Sequence, residues 1–97
     1  MNNMVIFIAY YDAEQYALLL KCADDRNKLD DKWEDWLLNF IKAKSFLEKD
    51  FVVEDFHINV EEMNNYFKER KLKNNSANRS RYTRKKGMES YKTRNNN

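Results

Sequence analysis

Near the start of the chain lies VIFIAY, residues 5–10, a run of β-branched and aromatic residues between the polar Asn2-Asn3 and Asp12. Such a run is typical of a β-strand. Because it is apolar at both alternating positions, we expect both faces of the strand to be covered. The elements that follow must supply that cover.

Four helices and a second strand are predicted after this strand. The predicted elements are helices over about 12–26 and 31–49, a strand over 51–60, a helix over about 60–71 and a short helix over 77–86. Each helix follows a residue whose side chain can cap its first turn: Asp12, Asp31, Asn59 and Ser76. The 31–49 helix has the broadest apolar stripe, which includes Trp33 and Trp36.

The fold class predicted from this order is α+β, a small two-stranded sheet packed by three helices and a short basic fourth helix. We expect the strands to be antiparallel, because each of the two intervening helices would run back along the preceding element. A two-stranded sheet exposes its edges, so we expect a homodimer to complete it. The domain is predicted to cover residues 1–86. Gly87 is expected to end the last helix, and residues 87–97 to form a disordered basic tail.

Charge is strongly segregated along the chain, although the formal net charge is only +2. Residues 1–67 contain 7 Lys and Arg against 14 Asp and Glu, whereas residues 68–97 contain 11 against 2. An acidic body with a basic C-terminal segment is typical of a protein that binds a polyanion. The leading function hypothesis is therefore a small non-enzymatic binding protein whose basic C-terminal segment contacts nucleic acid, either DNA or RNA, or another polyanion.

The candidate nucleic-acid contacts lie in the basic segment, where lysines and arginines alternate with tyrosines. They are Lys73, Arg79, Arg81, Tyr82, Arg84, Lys85, Lys86, Lys92 and Arg94. Cations neutralise phosphates and tyrosine rings stack on bases. No zinc finger, helix-turn-helix or aromatic RNA-binding signature is present, so we expect mainly backbone contacts. The alternatives are that the segment only keeps the protein soluble, that it docks on the acidic body of the same or a neighbouring chain, or that it binds an acidic protein partner.

A second hypothesis is a protein-interaction module, of the inhibitor or antitoxin type, encoded on a bacterial or phage mobile element. Its candidate contacts are Asp31, Trp33, Glu34 and Asp35, at the start of the acidic aromatic helix. Such a surface would suit a basic protein partner. Nothing in the sequence names that partner.

An enzyme centred on His57 is a third and weaker hypothesis. His57 lies between Asp55 and Asn59, and a carboxylate can orient an imidazole for acid–base chemistry. Cys22 falls in the middle of an apolar helix, where a cysteine is usually a small buried hydrophobe. One Cys and one His do not make a zinc site. We therefore predict a protein that is not an enzyme, with no catalytic residues, no cofactor and no metal.

The chain is predicted to be cytoplasmic and to have no membrane partner. Its first apolar run, residues 4–11, is too short to span a bilayer and has no preceding basic residues. A single cysteine cannot form an intramolecular disulfide, which favours a reducing compartment.

Several short stretches resemble a family of small bacterial proteins. They are Ile8-Ala9-Tyr10-Tyr11, Asp25-Arg26 followed by Leu29, Trp36, Phe56-His57-Ile58-Asn59-Val60-Glu61-Glu62, and Arg79-Ser80-Arg81-Tyr82. The resemblance implies the order strand, helix, helix, strand, helix, helix over residues 4–86. It implies no established activity.

Overall fold

The computed structural model of the chain describes residues 4–95, without the side chains of the last two of these residues. Its elements are strand β1 (Val5–Tyr10), helix α1 (Ala13–Cys22), a 3-10 turn (Arg26–Lys28), helix α2 (Trp33–Leu47), strand β2 (Val52–His57), helix α3 (Val60–Glu69) and helix α4 (Ser76–Asn95). The α+β class is confirmed, as is the predicted order of strands and helices.

Two of the predicted helix starts are confirmed. Asp12 and Asn59 each accept a hydrogen bond from the backbone N–H three residues later, at 2.8 and 2.9 Å. The start predicted at Asp31 is wrong, because α2 begins at Trp33 and the residue before it makes no capping hydrogen bond. The carboxylate of Asp31 instead lies 2.8 Å from the guanidinium of Arg26.

The two strands are parallel, so the prediction of an antiparallel sheet is wrong. The register runs from Val5 opposite Val52 to Tyr10 opposite His57. Parallel pairing requires the chain to cross the length of the sheet an odd number of times between the strands. Two helices alone would give an even number.

The additional crossing is made by the connection between α1 and α2, residues 23–32. The hydroxyl of Tyr16 donates a hydrogen bond to the carbonyl of Asp30 at 2.7 Å, and the indole N–H of Trp33 donates one to the carbonyl of Tyr11 at 2.8 Å. The connection therefore returns along α1 to the end of β1. An extended segment of this size reaches about 33 Å, which is enough to run back along α1, because that helix is only about 15 Å long.

Helix α4 passes through Gly87, so the predicted helix end at that residue is wrong. Gly87 lies directly against β1. A Cβ atom at this position would come 2.8 Å from Cβ of Phe7 and closer still to its ring. Helix α4 continues to Asn95, residues 96–97 lie outside the described residues, and the predicted division into a domain over residues 1–86 and a disordered tail over residues 87–97 stays a prediction.

The core lies between the sheet and helices α1, α3 and α4. The largest fully buried side chains are Tyr16, Leu19, Val60, Met63, Phe67 and Thr83. Helix α2 contributes no fully buried side chain, but Trp33 and Trp36 are half-buried against the core. This helix is therefore an outer layer with one free face.

The two faces of the sheet have different partners. Helix α4 covers the face of Phe7, where Gly87 and Tyr91 lie. Helix α2 covers the face of Tyr10, whose ring meets that of Trp36 at 5.6 Å between centroids. All of β1 is half-buried, as expected for a strand covered on both faces. Within the described residues the sheet has only these two strands, and dimerisation stays a prediction.

Candidate nucleic-acid interface

Helix α4 is fixed to the rest of the domain by a buried ion pair at its first turn. The guanidinium of Arg79 donates two hydrogen bonds of 2.9 Å to the carboxylate of Asp25, and the two side chains are 8% and 11% exposed. Asp25 also accepts a hydrogen bond from the backbone N–H of Ser76 at 3.0 Å. A carboxylate at a helix N-terminus is favourable because it meets the positive end of the helix dipole. The pair therefore sets where α4 begins and which way it points.

The loop before α4 is closed by Asn74, which is 2% exposed. Its amide donates a hydrogen bond to Sγ of Cys22 at 3.3 Å, and its side-chain oxygen accepts one from Arg79 at 2.9 Å. The carboxylate of Asp24 accepts a hydrogen bond from the Asn74 backbone at 2.7 Å. The acidic pair Asp24-Asp25 thus anchors α4, although its two residues lie about 50 positions away along the chain.

The ion pair makes stability sensitive to acid. Hydrogen bonds from Arg79 hold the pKa of the Asp25 carboxyl below its usual range. Asp25 therefore contributes stability above its unfolded pKa of about 4, and this contribution is lost as the pH falls through the lower folded pKa. We expect Asp25→Asn to be less stable than the natural chain at neutral pH, but to lose less additional stability below about pH 4. Urea unfolding of both proteins, from neutral pH to below about pH 4, measures the two free energies of unfolding. If these free energies fall in parallel as the pH is lowered, the prediction is wrong.

Beyond this anchor, α4 carries a row of exposed cations. Arg81, Lys85 and Lys92 are exposed and lie at i, i+4 and i+11. This spacing places them within about 40° of one another around the helix and over about 17 Å of its axis. We call these three residues the basic face. Arg84 is exposed at its margin, and Lys73 is exposed in the loop before α4.

Two residues predicted to contact nucleic acid are buried, and the prediction is corrected for them. The guanidinium of Arg79 is held by Asp25 inside the domain. Tyr82 is 4% exposed, with its ring packed edge-on against those of Tyr66 and Phe67. Burial raises the pKa of Tyr82. Neither side chain can reach a phosphate or stack on a base without unfolding of the site.

Glu89 neutralises part of the positive charge of α4. Its carboxylate lies 3.0 Å from Nζ of Lys85 and 3.8 Å from Nζ of Lys86. The hydrogen bond from Lys85 holds the pKa of Glu89 below its usual range. Lys92 forms no ion pair with any of the described side chains. The predicted contact of Arg94 depends on a side chain that lies outside the described part of the structure.

The predicted protein-binding residues at the start of α2 are only partly brought together. Asp31, Glu34 and Asp35 are exposed around the first turn. Trp33 faces inward, where its indole N–H is bonded to the carbonyl of Tyr11 at 2.8 Å. The half-buried Trp33 therefore contributes to the fold, and the three acidic residues are the fully exposed members of this set.

His57 and Cys22 lie apart in the structure and form no common site. His57 is exposed at the end of β2, with its ring 4.8 Å from that of Tyr10. Cys22 is half-buried, and burial raises the pKa of its thiol, which disfavours the reactive thiolate. Whether the chain has an enzymatic activity is still a matter of prediction.

The described part of the chain has neither a cluster of metal-binding side chains nor a membrane-spanning helix. Between residues 4 and 95, no three His, Cys, Asp or Glu side chains come together as a potential metal site. No helix in the same range has both the length and the apolarity needed to cross a bilayer.

No protein-family model, curated protein or solved structure matches this chain. The resemblance to small bacterial proteins therefore stays a prediction.

Proposed function

We propose that the protein binds nucleic acid through the phosphate backbone, using the basic face of α4. The observation that carries this proposal is the fixed position of α4 on the domain. The Arg79–Asp25 pair fixes the first turn of α4, and Gly87 lies in direct contact with β1. The exposed cations of α4 therefore keep a constant position on the surface of the domain. Cations at fixed positions neutralise phosphates and release the counterions that phosphates otherwise hold.

This contact is expected to be largely independent of base sequence. Tyr82 is buried, and the ring of Tyr91 packs edge-on against Phe7 at 6.0 Å between centroids. Stacking on bases therefore contributes little, and charge supplies most of the affinity. We expect single-stranded and double-stranded nucleic acids to bind through the same residues.

Replacing all three residues of the basic face by glutamine should weaken binding and reduce its dependence on salt. Each phosphate contact to duplex DNA contributes about 0.9 to the slope of log affinity against log salt concentration. The triple variant should therefore lose about 2–3 from this slope. Fluorescence anisotropy of a short labelled duplex, titrated at several salt concentrations, measures the change.

A matched control separates this site from a general effect of charge. Lys21, Lys28 and Lys42 are exposed on the acidic body, and their replacement by glutamine changes the net charge equally. Equal weakening by both triple variants would contradict the proposal. Glu89→Gln, which releases Lys85, should strengthen binding instead.

A second candidate function, binding of a basic protein partner, is supported by the free face of α2. Glu34, Leu38 and Ile41 share that face at i, i+4 and i+7, and the two apolar side chains are 58% and 51% exposed. Such a face suits a basic amphipathic helix, in keeping with an inhibitor or antitoxin-like module. Reversing the charges of Glu34 and Asp35 to lysine should abolish that binding and leave nucleic-acid binding intact.

Among the described side chains of the basic segment, the alternative of docking on the acidic body applies to that of Arg79. Arg79 makes such a contact with Asp25 inside the domain. The exposed residues of the basic face do not, so they are available for a partner. Homodimerisation, a cytoplasmic location and a bacterial or phage origin stay predictions.

A further inference from the structure

A groove runs along the outer edge of β1, on the side away from β2. A cavity of about 790 Å³ lies between residues 4–8 and the side of α4 that carries Arg84 and Met88. The side chains of consecutive strand residues point to opposite faces of a sheet. A cavity that touches all of residues 4–8 therefore lies at the edge of the strand. A second cavity of about 260 Å³ continues it towards Leu29 and Trp36. We call the two cavities together the β1 groove.

The floor of the β1 groove is the outer edge of β1, which pairs with no other strand among the described residues. On the other edge, backbone N–H groups of β2 and of the residue after it donate to the carbonyls of Met4 and Tyr10, at 3.2 and 3.0 Å. These bonds turn the even-numbered residues of β1 towards β2. The N–H and C=O groups of Val5, Phe7 and Ala9 therefore point into the groove, where no described residue bonds to them.

The position of α4 favours a single added strand over a second copy of the chain. Helix α4 rests on β1 at Gly87 and contacts β1 more extensively than β2. Two β1 strands paired antiparallel about a twofold axis would lie about 4.8 Å apart, and each would carry its own α4. Packed helices need about 8–10 Å between their axes. A lone extended segment has no such helix to accommodate.

One uncompensated charge faces the β1 groove. Arg79 lines the second cavity, but Asp25 neutralises it. Arg84 lines the first cavity and has no ion pair with a described residue. An acidic side chain on the added strand would supply the missing countercharge. Side chains on the opposite face of that strand would meet the apolar Leu29 and Trp36.

We propose that the β1 groove binds an extended segment of a partner protein by strand addition, and that apolar and acidic side chains alternate along this segment. Backbone hydrogen bonds to Val5, Phe7 and Ala9 hold the segment, and Arg84 selects its acidic side chains. This interaction goes beyond nucleic-acid binding, because it uses the edge of the sheet instead of the basic face.

Two capped heptapeptides test the proposal, one alternating valine with glutamate and the other valine with lysine. In fluorescence-polarisation titrations the glutamate peptide should bind about tenfold more tightly, and Arg84→Glu should reverse this preference. Amide hydrogen exchange followed by NMR gives a second readout. The amides of Val5, Phe7 and Ala9 should become protected only when peptide binds, whereas that of Ile6, which faces β2, should be protected throughout.

Proline variants supply a matched control at the two edges of the sheet. Val5→Pro removes an N–H from the β1 groove and should weaken peptide binding about tenfold, whereas Val53→Pro removes one from the outer edge of β2 and should not. Thermal unfolding checks that both variants fold. The proposal is overturned if neither peptide binds, if Val53→Pro weakens binding equally, or if a second copy already protects the Val5, Phe7 and Ala9 amides.

Discussion

Arg79→Ala should lower the free energy of unfolding by about 3 kcal/mol, because it leaves the nearly buried carboxylate of Asp25 without its partner. The Asp25 side chain is 11% exposed, so water cannot fully replace the two lost hydrogen bonds. The same change removes the hydrogen bond that Arg79 donates to Asn74 at 2.9 Å. Urea unfolding at neutral pH, followed by circular dichroism, measures the loss.

The matched control for this prediction is Arg81→Ala, two residues further along α4. Arg81 is exposed, so its removal should change stability by less than about 0.5 kcal/mol while weakening nucleic-acid binding. If Arg79→Ala does not fold, the free energy of unfolding of Arg79→Lys provides the test. Lysine keeps the positive charge but cannot donate both of the hydrogen bonds that Arg79 makes to Asp25. Similar stabilities for the Arg79 and Arg81 variants would contradict the anchoring role of the ion pair.

Gly87→Ala should also destabilise the protein, by about 2 kcal/mol, although alanine favours a helix by about 1 kcal/mol over glycine. The added methyl group would meet Cβ of Phe7 at 2.8 Å and the base of its ring at a shorter distance. Atoms so close to the backbone cannot swing aside, so α4 and β1 would have to separate. Thermal and urea unfolding of the single variant measure the cost.

A double-mutant cycle with Phe7→Ala identifies the origin of that cost. Phe7→Ala removes the two ring atoms closest to the added methyl group but keeps Cβ at 2.8 Å, so adding Gly87→Ala in this background should cost only about 1 kcal/mol. The coupling energy between the two sites is then about 1 kcal/mol. An equal cost in both backgrounds would place the strain elsewhere, for example within α4 itself.

The positions of several elements could be predicted because the interactions that set them are local. Asp12 and Asn59 cap helices through hydrogen bonds to the backbone three residues later, and this spacing is visible in the sequence. The apolar run of β1 predicted a strand covered on both faces, and α2 and α4 supply that cover. The segregation of charge likewise pointed to the segment that forms α4.

The candidate site could be predicted only in part, because burial depends on distant partners. Arg79 and Arg81 are the same residue type in the same helix. One is buried and the other exposed because Asp25, 54 residues away, pairs with Arg79. The role of Gly87 could not be predicted for the same reason, because it depends on a distant residue. A glycine in a polar stretch usually ends a helix, but here it allows α4 to lie against Phe7.

The order of the elements, two of the helix caps and the separation of an acidic body from a basic end could all be predicted from the amino-acid sequence. These features rest on residue composition and on hydrogen bonds that span three positions. Three further features depend on long-range packing: the parallel pairing of the strands, the continuation of α4 through Gly87, and the set of cations that remain exposed. Each of these outcomes depends on where the chain brings distant residues together, as the return of residues 23–32 along α1 and the Arg79–Asp25 pair both illustrate.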